Sequence, residues 1–166
     1  MKAKILFFDD IFSDLYREQL SPEHLMLDDN WVSALIEALT GKTDDSDVVF
    51  EVIKSGEIDT WRELIEKEKP DLILLDLFWP QQAFVKFEDR SRGSDISMEI
   101  LPEIRSSFPN LPLVCYTIKP DKGMMERAYS KGATFFLEKV PLALPEVHSP
   151  LKFILIYLSK KAREEL

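Results

Sequence analysis

Five short apolar runs constrain this chain more than any other feature: Lys4–Phe8, Val48–Ile53, Leu72–Leu75, Leu113–Tyr116 and Thr134–Leu137. Most are near-continuous in apolar residues rather than alternating, the pattern of strands buried on both faces of a parallel sheet. The stretches between them read as helices. Trp31–Leu39 puts Trp31, Leu35 and Ala38 or Leu39 on one face, with Gly41 as its stop. Asp59–Lys67 groups Trp61, Leu64 and Ile65 and ends before Lys69-Pro70. Ile96–Phe108 carries Ile100, Leu101, Ile104 and Phe108, with Pro102 expected in its first turn or at a kink. Asp121–Lys131 runs up to Gly132, and Ser149-Pro150 reads as a cap and first position opening Leu151–Glu165. This alternation predicts an α/β sandwich with right-handed crossovers.

A chain of 166 residues suits one domain, and neither a repeat nor a linker divides it. We therefore expect a single domain, 1–166, with two surplus segments at about 11–30 and 81–92. The first holds a candidate short helix, Phe12–Leu20, and a Ser21-Pro22-Glu23 helix start. The second mixes Phe84 and Phe87 with charges and reads as a solvated loop. A net charge of −9 argues against a broad nucleic-acid or anionic-lipid footprint. The lone Cys115 lies in an apolar run and reads as a buried small hydrophobe. His24 and His148 have no metal-like spacing and read as surface or loop residues. The amino-terminal stretch is too short and acidic for a signal peptide, and no apolar stretch reaches the roughly 18 residues of a membrane span. The expectation is a cytoplasmic protein without nucleic-acid or membrane partners.

In an open α/β sheet, ligands bind at the carboxyl ends of the strands. Those ends carry Asp9 and Asp10, Asp76, Thr117 and Lys139. Three clustered carboxylates repel one another unless a cation joins them. All-oxygen ligands suit a hard ion, and Mg²⁺ suits one that also meets a phosphoryl group. A carboxylate can act as nucleophile at phosphorus, giving an aspartyl phosphate. A lysine and a hydroxyl would neutralise its equatorial oxygens. Each residue also has a plainer reading: a turn for Asp9-Asp10, a cap for Asp76 or Thr117, a solvated lysine for Lys139. For Asp76 the cap is disfavoured because the next expected helix begins much later.

With those residues in place, the sequence resembles the receiver domains of bacterial response regulators. The resemblance rests on Ile5-Leu6-Phe7-Phe8-Asp9-Asp10, on Pro70–Pro80 around Asp76, on Ile104-Arg105, on Leu111–Thr117 and on Gly132–Lys139. It implies a doubly wound, flavodoxin-like sheet of five parallel strands in order 2-1-3-4-5. It implies that Asp76 is the phosphoacceptor and that Asp9 and Asp10 hold Mg²⁺ directly or through water, with the Phe78 carbonyl completing the metal shell. It also implies that Thr117 is the switch hydroxyl, Lys139 the phosphoryl partner and Phe136 the aromatic switch residue. The donor would be a histidine kinase or phosphotransfer protein. The output would be a downstream protein, or a homodimer, through the last helix, whose Leu151–Leu158 stretch is apolar nearly all round.

Three departures stand out. Ile118 follows Thr117 where the family favours a small residue, and should slow phosphoryl entry, hydrolysis or both. The usual Lys-Pro pair is here Lys139-Val140-Pro141, so any cis bond tied to that step is absent. The two surplus segments both follow strands at their carboxyl ends and should form the pocket rim. The resemblance implies a stand-alone phosphoacceptor, since the chain ends just after its last helix, and a signalling domain rather than a turnover enzyme. Two alternatives stay open: a pseudo-receiver that binds partners independently of phosphorylation, and a haloacid-dehalogenase-type phosphohydrolase. The latter wants Asp-x-Asp after the first strand, which Asp9-Asp10-Ile11-Phe12 does not supply.

Overall fold

The computed structural model describes residues 1–42 and 46–164. The five apolar runs form five strands: β1 (Lys2–Phe8), β2 (Val49–Ser55), β3 (Leu72–Asp76), β4 (Leu113–Thr117) and β5 (Phe135–Glu138). All pairings are parallel, in the order β2-β1-β3-β4-β5. Every residue of β3 and β4 is buried, which is why those runs carry no polar alternation.

Helices cover both faces. α2 (Pro22–Thr40) and α7 (Pro145–Glu164) pack on the side lined by Ile5, Phe7, Leu72, Leu74 and Val114. α3 (Trp61–Glu68), α5 (Gly93–Ser107) and α6 (Lys122–Ser130) cover the side lined by Leu6, Phe8, Ile73, Leu75 and Cys115. The buried stripe of α2, Val32, Leu35 and Leu39, contributes about 2 kcal/mol per side chain through removal from water. Among the described residues no helix is long and apolar enough to cross a membrane.

Several boundaries differ from expectation. Ser21-Pro22 opens the same helix that carries Trp31, because the Ser21 hydroxyl accepts from the His24 N–H and Pro22 supplies a helical φ. Before it, the expected Phe12–Leu20 helix shrinks to α1 (Asp14–Arg17), behind a 3-10 turn at Asp10–Phe12. The Gln81–Arg92 segment is not all loop. It forms α4 (Pro80–Phe87), which ends on left-handed Glu88, and a 3-10 turn at Arg90–Arg92. A helix thus begins four residues after Asp76, although its cap position is Trp79 and not Asp76.

Both internal prolines lie deeper in their helices than expected. α5 starts at Gly93, where a Cβ would meet the Phe78 ring at 2.8 Å, so Pro102 is interior. α7 starts at Pro145, so Ser149 is not a cap, and Pro150 inside the helix leaves the Glu146 carbonyl without its intrahelical partner. The expected end of this helix, Glu165, lies outside the described residues. His148, expected at the surface, is buried in α7 with its Nε2 2.9 Å from the Leu142 carbonyl oxygen. Cys115 is buried as expected, and burial pushes its thiol up to about 12.

Arg105 ties α5 to the amino ends of β4 and β5. Its guanidinium donates to the carbonyls of Gly132 (2.7 and 3.0 Å), Pro109 (2.8 Å) and Leu111 (2.8 Å). No lysine reproduces such a fork. Arg105→Lys should therefore cost about 2 kcal/mol by stranding half-buried carbonyls, read as a shift in the urea unfolding midpoint. An unchanged midpoint would show that water replaces the guanidinium at no cost.

Candidate functional site

The carboxyl ends of β1 and β3 bring Asp9, Asp10 and Asp76 together. All three are buried, and each offers a carboxylate oxygen within 4.8 Å of the others. β1 and β3 align Phe8 with Leu75, so the residues that follow emerge side by side. Asp9 caps the 3-10 turn through a 3.0 Å bond from the Ile11 N–H to Oδ1, so it is a turn residue as well as a member of the cluster. Asp76 Oδ1 accepts from the Phe78 N–H at 3.0 Å, holding the loop after β3 against its own strand end. The Trp79 indole, fully buried, donates to the Asp76 carbonyl at 2.6 Å.

Lys139 follows β5 and reaches across to the acids. Its Nζ lies 2.9 Å from Asp76 Oδ2 and 3.1 and 3.2 Å from the two Asp9 oxygens. It is therefore a partly buried ion-pair partner and not a solvated lysine. Thr117, at the end of β4, is fully buried, and its Oγ1 accepts from the Lys119 N–H at 3.3 Å. Ile118 beside it is exposed. Phe136 is half-buried against the α3–α6 side of the core. Every peptide bond described is trans, the Lys139-Val140-Pro141 steps included.

The electrostatics follow from burial. Desolvation, then the charges of Asp76 and Asp9, push the Asp10 carboxyl up to about 9. Desolvation and Asp9 push Asp76 up to about 7, against the opposing pull of Lys139. Burial would lower the Lys139 ammonium, but Asp76, Asp9 and Asp10 together hold it above its ordinary value. Three acids against one ammonium are under-compensated, and with no cation the imbalance is relieved by protonation, of Asp10 first. An all-oxygen, under-compensated donor set of this kind fits a hard divalent cation, whose own charge would supply the missing balance.

Sequence reasoning missed three contributors. Tyr116 reads as one more apolar strand residue, yet its hydroxyl donates to Asp9 Oδ2 at 2.6 Å. Gly56, after β2, lets the Phe12-Ser13 backbone pass where a Cβ would sit 2.1 Å from the Ser13 nitrogen. Trp31, read only as core, stands 5.7 Å from the Lys139 ammonium across its ring and donates to Asp28. Only Tyr116 left a signal: a polar-tipped residue beside Thr117 at a strand end.

No protein-family model and no curated protein matches the chain. Solved structures do. A receiver domain protein (CheY-like) from Methanospirillum hungatei JF-1 superposes with a TM-score of 0.59 at 17% identity, covering 97% of this chain and 99% of that one. A response regulator receiver domain protein from Clostridium thermocellum gives 0.59 at 18% identity, covering 99% of both. The phosphorylated cyanobacterial phytochrome response regulator gives 0.59 at 18% identity, covering 94% of this chain and 95% of that one. Over nearly its whole length, then, the chain has the fold of response regulator receiver domains.

Proposed function

We propose that residues 1–166 form one receiver domain that accepts a phosphoryl group on Asp76 in a Mg²⁺-dependent reaction. The observation that carries this reading is Lys139 bridging Asp9 and Asp76 inside a buried three-carboxylate cluster at the carboxyl ends of β1 and β3. Asp76, the Phe78 carbonyl and, directly or through water, Asp9 and Asp10 would hold the ion, which when bound would neutralise charge on the transferring group. One Asp76 oxygen attacks phosphorus, and the bond from phosphorus to the donor's leaving atom breaks with its electron pair. Lys139, already on the Asp76 carboxylate, takes an equatorial phosphoryl oxygen. Thr117 lends its hydroxyl to another. With Asp76 raised to about 7, loading the site displaces a proton, so the reaction should weaken below neutral pH.

The donor is a histidine kinase or phosphotransfer protein, and the setting is cytoplasmic. Output passes to a protein partner through α7, where Phe153 and Tyr157 are exposed. The domain signals and does not turn over a substrate. Ile118, exposed on the rim beside Thr117, should slow entry and loss of the phosphoryl group.

The test is incubation with Mg²⁺ and acetyl phosphate followed by intact mass measurement, beside Asp76→Asn. A single phosphoryl adduct is expected in the wild type and none in the variant. An adduct that survives in Asp76→Asn would move the acceptor elsewhere. No adduct, together with no heat of Mg²⁺ binding, would leave a pseudo-receiver that works by protein contact alone.

A further inference from the structure

The three acids of the cluster are not equally available. An ionised carboxylate offers about four lone-pair sites. Asp9 accepts three hydrogen bonds: on Oδ1 from the Ile11 N–H (3.0 Å) and Lys139 (3.2 Å), and on Oδ2 from the Tyr116 hydroxyl (2.6 Å), with the Lys139 ammonium also 3.1 Å from Oδ2 as an ion pair. Asp76 is half engaged, by the Phe78 N–H and Lys139. Asp10 receives no N–H or O–H donor among the described side-chain bonds. Among the described residues the short phenol bond is the one hydrogen bond on Asp9 Oδ2. Tyr116 is held for it: its ring is fully buried, with Phe7 packed at 6.2 Å in an edge-on contact. Its backbone position is set opposite Asp76 in the β3–β4 register.

We propose that Tyr116 is a positioning residue that holds Asp9 out of direct contact with the cation, leaving Asp10 and Asp76 as the two direct carboxylates and tuning the site for a small ion. This rests on the receiver reading above. The hydroxyl acts in two ways. It occupies the Asp9 oxygen that would otherwise turn toward the ion. It also stabilises the cluster's negative charge when no ion is present, which reduces what a cation gains by binding. Two direct carboxylates suit the compact shell of Mg²⁺, which keeps several waters. A third would favour a larger ion such as Ca²⁺, which takes more oxygens in looser geometry.

Calorimetric titration of the whole chain with MgCl₂ and with CaCl₂ tests this, using wild type, Tyr116→Phe, Asp9→Asn and the double variant. Tyr116→Phe should bind Mg²⁺ about tenfold more tightly, the value of one hydrogen bond to a charged group, and gain still more for Ca²⁺. In the Asp9→Asn background the same change should have no effect, because Tyr116 acts only through Asp9. Equal or weaker binding by Tyr116→Phe, or the same gain without Asp9, overturns the proposal. A wild type that takes up neither ion sinks the receiver reading itself, a result separable from the variant comparison. Should Tyr116→Phe fail to fold, the wild type still decides. A buried hydroxyl proton in so short a bond resonates far downfield and exchanges slowly. Its persistence at saturating Mg²⁺ supports the assignment, and its loss overturns it.

Discussion

Asp10→Asn should make the metal-free protein more stable by about 3 kcal/mol at about pH 8, and should remove most of the fall in stability between about pH 5 and 9. The direction follows from burial. Asp10 in the folded protein titrates at about 9 and Asp76 at about 7, both above the ordinary carboxylate value. Between the unfolded and folded values the native state holds more protons than the unfolded chain. The contribution of these groups is therefore complete below about pH 4 and is lost as pH rises toward 7 for Asp76 and 9 for Asp10. Asparagine keeps the shape of Asp10 and carries no charge to desolvate. Urea unfolding across this pH range in a chelator measures the effect. Added Mg²⁺ should reverse the order, stabilising the wild type and leaving Asp10→Asn unmoved. Parallel pH profiles for the two proteins would mean that the cluster is relaxed by water and carries no stored repulsion.

Gly56→Ala should be the most damaging glycine-to-alanine change among those the structure describes. The new Cβ would lie 2.1 Å from the Ser13 nitrogen, 2.3 Å from the Phe12 carbonyl carbon and 2.4 Å from the Ser13 Cα. All three are backbone atoms, so no rotamer relieves the overlap and one segment has to move. The Ser13 N–H also closes the turn onto the Asp10 carbonyl at 2.8 Å, so the displaced segment is the one that presents Asp10. We expect a cost of about 3 kcal/mol or more and a loss of Mg²⁺ affinity of about tenfold. Gly123→Ala is the contrast. Its Cβ would meet only the Asp121 side chain at 3.2 Å, near the start of α6, and should change stability by less than about 1 kcal/mol. Equal effects from the two alanines would refute the steric account.

The sheet was legible in the sequence because its strands are buried on both faces, and a run such as Leu72-Ile73-Leu74-Leu75 has few other uses. The helix starts were harder. Ser21-Pro22 carried a true capping signal, but polar residues between it and Trp31 hid the fact that both belong to one helix, since α2 turns only a narrow stripe inward. Pro102 and Pro150 misled for the opposite reason. Proline marks a boundary only where packing does not outweigh one lost hydrogen bond, and at both sites it does. The acids and Lys139 could be picked out because strand ends converge in this topology. Tyr116 left only a faint signal, its polar tip beside Thr117, because its ring satisfies the apolar pattern of β4 and only its last atom reaches the acids. His148 was misread for a similar cause: a polar tip that one carbonyl accommodates inside an apolar layer.

Trp79 gives the site a property of another kind. Its indole is sealed from solvent and shares a hydrogen bond with the carbonyl of Asp76, while Trp61 lies on the α3 face and Trp31 beside the Lys139 ammonium. Indole emission responds to the field along its own dipole. A change of charge on the Asp76 side chain falls on the ring through a single peptide group. The chain thus carries an optical gauge wired to its candidate acceptor, readable in unlabelled protein and on the timescale of mixing.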